Sequence, residues 1–226
     1  MLFRSPASML RTVIEASRHG GKVVRPWTGL AGQAVTPEMV DSLGLERATG
    51  ALINRVNPHG PAYKAGIRTG DVILSVNGHD VSDADALKFR MATAPIGTPM
   101  KLTLWRNGKT DTAEIVSEAP PEDPPRDQVT LKGQSPFTGA TVANISPAVS
   151  EELGGITQDA GVVILKADDG FAAQLGLQAG DVLLAINGKK VGSVSDLREQ
   201  LDNATSRRWS IQILRGQRVM NLMISI

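Results

Sequence analysis

Apolar positions along the chain follow two rhythms, and both recur in the same order in two stretches. In the first, residues 50–57 (GALINRVN) and 71–76 carry the β-branched content of strands. Between them, residues 61–65 read as one short helical stretch with Gly66 as its left-handed cap. Asn77-Gly78 reads as a hairpin turn, because both residue types accept positive φ. Residues 82–94 switch to a helical period, with Ala84, Leu87 and Met91 on one face and Ser82 placed to cap the start. Pro95 and Gly97 end that helix, and residues 101–105 and 110–116 close a hairpin through Asn107-Gly108. The second stretch repeats the series. Strand 161–167 is followed by short helix 171–175 with Gly176, strand 181–186 and turn Asn187-Gly188. A helix over 195–203, with Val194, Leu197 and Leu201 on one face, and strands 210–214 and 218–226 complete it.

The recurrence extends to the residues themselves. AGIRTGDVILSVNGHDV (65–81) and LGLQAGDVLLAINGKKV (175–191) share eight of 17 positions at an offset of 110. The same offset pairs Thr28-Gly29-Leu30 with Thr138-Gly139-Ala140 and Leu87 with Leu197. Landmarks in one order at one spacing mean two copies of one small α+β domain. The first copy is expected over 23–118 and the second over 134–226. Residues 119–133, with Pro120, Pro121, Pro124 and Pro125, read as a semi-rigid extended linker. Residues 1–22 stand outside the repeat and read as a helix with a connector.

Composition narrows the chemistry. With 24 Lys+Arg against 23 Asp+Glu, the chain lacks the basic excess of a phosphate-coating protein, so nucleic acid is a poor partner. Cysteine is absent, which removes disulfides, thiol nucleophiles and zinc ribbons together. His19, His59 and His79 have no metal-ligand spacing, and no cofactor or metal is implied. No apolar run is long enough to span a membrane. Residues 1–21 lack a secretory apolar core, because Arg4, Ser5 and Pro6 interrupt it. Aromatics make up 4%, so the cores must be aliphatic.

The string AGIRTGDVILSVNG resembles the core signature of bacterial PDZ domains, and Gly176 to Gly188 matches it again. Ahead of each copy, Trp27-Thr28-Gly29-Leu30-Ala31-Gly32 and Phe137-Thr138-Gly139-Ala140-Thr141-Val142 resemble the segment that forms the family's carboxylate-binding loop and leads into its ligand strand. TGATVANISPAVSEELGG (138–155) is similar to the second PDZ domain of HtrA/Do-type serine proteases. Phe3 to Met9 and the Gly21 to Arg25 connector resemble the junction after that family's protease domain, although Arg4 stands at an apolar family position. The family's G-[ND]-S-G-G nucleophile motif does not occur in the chain, so no catalytic residue is assigned here.

The resemblance implies two tandem PDZ domains, each a small, partly open β-barrel or sandwich capped by two helices, preceded by an N-terminal helix. It implies that extended peptides, or the C-termini of misfolded proteins, add a strand to an exposed sheet edge. Backbone N–H groups at Gly29, Leu30 and Gly32, and at Gly139, Ala140 and Thr141, would hold a terminal carboxylate; Arg25 either assists electrostatically or is a solvated surface charge. Leu87, Arg90 and Met91, and Leu197, Gln200 and Leu201, would line the side-chain pocket. By period alone those leucines are core. Trp27 either gates the loop or packs against the connector. Further implied partners are the protease domain of a parent chain and other copies of this one, and the implied compartment is the periplasm. A stand-alone scaffold docking on a partner protein is the alternative.

Overall fold

The computed structural model describes residues 24–156, 158–204 and 207–225. The expected helix over 1–22 lies outside these residues. The chain divides into two compact units between Pro120 and Pro121. Each has its own antiparallel sheet, and among the described residues each sheet path keeps two ends, so neither closes into a barrel.

The first unit contains β1 (Leu30–Ala34), β2 (Ala51–Val56), β3 (Val72–Val76), β4 (His79–Asp80), β5 (Pro99–Arg106) and β6 (Lys109–Val116). The order is β1-β2-β3-β5-β6, with β4 on β3. A 3₁₀ turn at Pro37–Met39 runs into α1 (Val40–Leu43); α2 (Pro61–Lys64) and α3 (Ala84–Thr93) follow. Ile53, Ile73, Leu102, Leu104 and Ile115 are fully buried and meet Leu87 and Met91 of α3. Each such side chain contributes about 1.5–3 kcal/mol on burial. The Asn-Gly turns form as expected: Asn77 and Gly78 have φ of 50° and 77°, and Asn107-Gly108 and Asn187-Gly188 repeat this.

Two local details depart from the sequence reading. Asp83, not Ser82, caps α3: its carboxylate accepts the Ala86 N–H, and the Ser82 hydroxyl donates to it. Both residue types cap well, so sequence alone left the register one residue adrift. The segment 37–43 folds as short helix, fixed by the Trp105 indole N–H donating to the Leu43 carbonyl at 2.8 Å. Trp105 is therefore half-buried under a helix that periodicity is too short to show.

The second unit contains β7 (Val129–Thr130), β8 (Thr141–Asn144), β9 (Val162–Lys166), β10 (Val182–Ile186), β11 (Lys189–Lys190), β12 (Arg208–Arg215) and β13 (Arg218–Ser225). Its helices are α4 (Pro147–Glu152), α5 (Gly170–Gln174) and α6 (Val194–Asp202). Phe137, Val142, Ile164, Leu183, Ile186, Trp209 and Ile211 pack with Val194 and Leu197 of α6. Alternate residues of the same strands, Ala143, Val163 and Val182, point to the other face and are covered by Ile145 and Val149 of the α4 region.

An ion pair is built identically into both units. Asp71 is buried and accepts from Arg106 Nε and Nη2 at 2.7 and 2.6 Å and from the Arg68 N–H. Arg106 Nη2 also reaches the Gly66 carbonyl. Asp181, Arg215, the Gln178 N–H and the Gly176 carbonyl repeat every bond. The Gly-Asp of the repeated string thus holds the short helix, its cap and the closing strand together.

The proline-rich stretch differs from a free linker. The Pro121 carbonyl accepts the Ala148 N–H, and residues 126–131 lie along β8. Residues 121–133 therefore belong to the second unit, ahead of the expected start at 134. Prolines remove donors but leave carbonyls, and it is carbonyls that this stretch supplies.

Candidate functional site

In the first unit β1 is the outermost strand. Its inner edge pairs with β2, and among the described residues no strand pairs with its outer edge. The loop ahead of it is fixed from below. Trp27 is buried and its backbone pairs both ways with Glu118 at 2.8 and 3.0 Å. The ring packs against the loop, with Cζ2 3.4 Å from where a Gly29 Cβ would stand. The Thr28 carbonyl accepts the Ala62 N–H, and its hydroxyl contacts Met91 Sδ at 3.6 Å. Gly29 has φ of 76°, and a Cβ there would stand 3.1–3.2 Å from Asn57 Cβ and the Gly60 backbone. The turn and the close approach both require glycine.

The Gly29 carbonyl accepts the Asn57 N–H at 2.7 Å. In an antiparallel ladder this brackets Leu30 and Val56 as a non-hydrogen-bonded pair. The N–H and carbonyl of Leu30 consequently face the outer edge, where no strand lies among the described residues. A register shift between Ala31 and Gly32 re-aims the strand just beyond.

Leu87 and Met91 are buried in the cluster against which Leu30 and Val56 pack. Both are thus core residues of the first unit, on the side where Leu30 of β1 packs. Arg90 has a partner in the hairpin. Its Nε donates to the Asp80 carbonyl of β4 at 3.0 Å. Gln200 does the same in the second unit, donating to the Lys190 carbonyl of β11 at 2.9 Å. Both residues fasten their helix to the hairpin. Arg25 is exposed.

The second unit brings the same residue types together with a different outcome. Phe137, Ala140 and Val142 are fully buried, as is Leu197, and Leu201 lies at the margin of their cluster. The Thr138 hydroxyl donates to the Gly133 carbonyl at 2.7 Å, and the nearby Ser135 hydroxyl accepts the Phe137 N–H. The groups expected to hold a ligand already have partners. The Gly139 N–H donates to the Leu131 carbonyl at 3.0 Å, and the Ala140 N–H to the Phe137 carbonyl. Thr141 and Val142 pair with Thr130 and Val129, and the Asn144 N–H donates to the Arg126 carbonyl. β8 is thus flanked on both edges, by β9 and by β7.

Arg126, which the sequence reading passed over, fixes this arrangement. Its guanidinium grips Glu152 at 2.7 and 2.8 Å and Glu122 at 2.6 Å. Those carboxylates, Glu152 first, hold it more basic than an ordinary arginine. A sequence signal would have required pairing Arg126 with a carboxylate 26 positions away.

A strand beside an apolar helix face, entered through a glycine loop and present twice, defines a class. Residues 31–116 and residues 164–215 each match the PDZ domain family, and the chain belongs to that family as a tandem of two PDZ domains. It is homologous, more particularly, to the DegP/HtrA-type periplasmic serine proteases. It is 33% identical over 206 residues to a probable periplasmic serine endoprotease, DegP-like, of Marinomonas sp., covering 91% of this chain and 43% of that one. A Bartonella henselae protein of the same description is 35% identical over 215 residues, covering 89% and 40%. The periplasmic serine endoprotease DegP of Salmonella typhimurium is 30% identical over 224 residues, covering 98% and 44%. The solved structure of the HtrA-type protease AlgW with decapeptide is 29% identical, covering 51% of this chain and 36% of that one, at a TM-score of 0.44. The chain therefore spans less than half the length of the curated relatives it matches.

Proposed function

We propose that the chain is the peptide-binding portion of a periplasmic HtrA-type serine endoprotease, delivering extended or C-terminal segments of misfolded proteins to a protease domain. In this reading the first PDZ domain is the working site, and its domain spans 23–118. The observation that carries it is the outward-facing N–H and carbonyl of Leu30 on an edge strand without a partner among the described residues. A peptide gains sequence-independent backbone bonds there, and the apolar surface around Leu30, Leu87 and Met91 selects an apolar last residue. Gly29 and its neighbours would take the terminal carboxylate on backbone N–H groups. Regulation of the protease and assembly with further copies follow from the same groove being filled or empty.

The test is fluorescence anisotropy with a peptide ending in an apolar residue, as free acid and as amide. The free acid is expected to bind at micromolar Kd, with the amide at least tenfold weaker. Equal binding removes the carboxylate loop from the account, and no binding removes the groove.

A further inference from the structure

We propose that residues 129–131 are a ligand held in the second domain's own groove, and that this groove selects an extended Val-Thr-Leu type of segment. The proposal rests on the reading above of such a groove as a strand acceptor. β7 runs antiparallel to β8 with its last residue toward the glycine loop, the direction an added ligand strand would take. Leu131 then occupies the terminal place. Its carbonyl receives the Gly139 N–H, a group that would otherwise meet a carboxylate, and its N–H reaches the Ala140 carbonyl at 2.8 Å. Its side chain is 6% exposed and joins the cluster of Leu197, with Leu201 at the margin. One residue back, the Thr130 and Thr141 hydroxyls are 2.9 Å apart, a polar contact that distinguishes threonine from an aliphatic residue.

The strap is anchored at its two ends and thin between them. Upstream, the Arg126 guanidinium makes its two-pronged contact with Glu152 and also meets Glu122, at 18% side-chain exposure. Such a bidentate, part-buried pair is stronger than a surface one. Downstream, Leu131 is the deeply buried side chain. The strand itself contributes two paired residues, few enough for local release below global unfolding. A free peptide competing with it sees its affinity reduced by the fraction of open strap.

The probe is the hexapeptide Arg-Asp-Gln-Val-Thr-Leu with a free carboxylate, titrated into the full chain while the backbone amide signals of Gly139, Ala140, Thr141 and Val142 are followed. Arg126→Ala and Leu131→Ala, each loosening one end of the strap, are expected to bind it at those amides at least tenfold more tightly than the unaltered chain. A peptide ending in Asp is expected to leave them unmoved. Folded variants whose amides stay silent overturn the proposal. So does a variant whose second domain loses its cooperative thermal transition, since the strand is then a structural member and not a ligand. Shifts at Leu30 in the same titration report the first domain separately, so failure of the functional reading is seen independently.

Discussion

At Asp71 a buried carboxylate takes three donors at once, two from Arg106 and one from the Arg68 backbone. Replacing it with alanine strands part of a guanidinium and an N–H, which costs about 3 kcal/mol. Asp71→Ala should therefore lower the thermal midpoint of the first domain while leaving the second's unchanged, read by calorimetry as a split transition. Arg106 itself is held more basic than usual, chiefly by its hydrogen bonds to Asp71. On the alkaline side, Arg106's own protonation therefore keeps that contribution present below the ordinary arginine range, and it is lost as pH rises through the raised value. Asp83 works in the opposite sense. The Ala86 N–H, then the Ser82 hydroxyl, holds its carboxyl below the usual carboxylate value. Its contribution is complete above that usual value and disappears as pH falls through the lowered one. Asp83→Asn, which can still cap, should flatten the acid limb of the stability curve without removing the helix.

Helix α6 starts at Ser193, whose hydroxyl accepts the Asp196 N–H. Ser193→Ala should cost about 1 kcal/mol, measurable as a shifted urea midpoint with an unchanged slope. Gly29→Ala places a Cβ against the Gly60 backbone at positive φ, and should both destabilise the loop and weaken peptide binding. Anisotropy against the same peptide checks this; unaltered affinity would separate the loop from the site. Elements with strong local grammar were legible in the sequence: the Asn-Gly turns, the Gly66 cap and the long helices each carry their own signal. Elements defined by distant partners were not. The helix at 37–43 depends on Trp105, 62 positions from Leu43, and α4 depends on a second buried face. β7 is two residues between a proline stretch and a glycine, and nothing within Val129-Thr130 announces what it will pair with. For the site, the loop and strand were legible through the repeat, whereas the hairpin role of Arg90 and Gln200 was not. A polar residue on a helix face does not disclose which side its partner occupies.

The two domains share a sequence signature, an ion pair and a strand order, yet present unlike edges. In the first, β1 ends the sheet among the described residues; in the second, β8 is covered by the chain that precedes it. On the proposal above, the stretch 121–131 occupies one of the two grooves and leaves the other to receive a ligand. The whole molecule should consequently behave as a single-site binder although it contains two PDZ domains. The most direct test is calorimetric titration of the full chain with a free-acid peptide ending in an apolar residue, with amide shifts assigning the site. One peptide per chain is expected, with shifts centred on Leu30, Ala31 and Met91. Two equivalent sites, or shifts confined to residues 139–142, would contradict it.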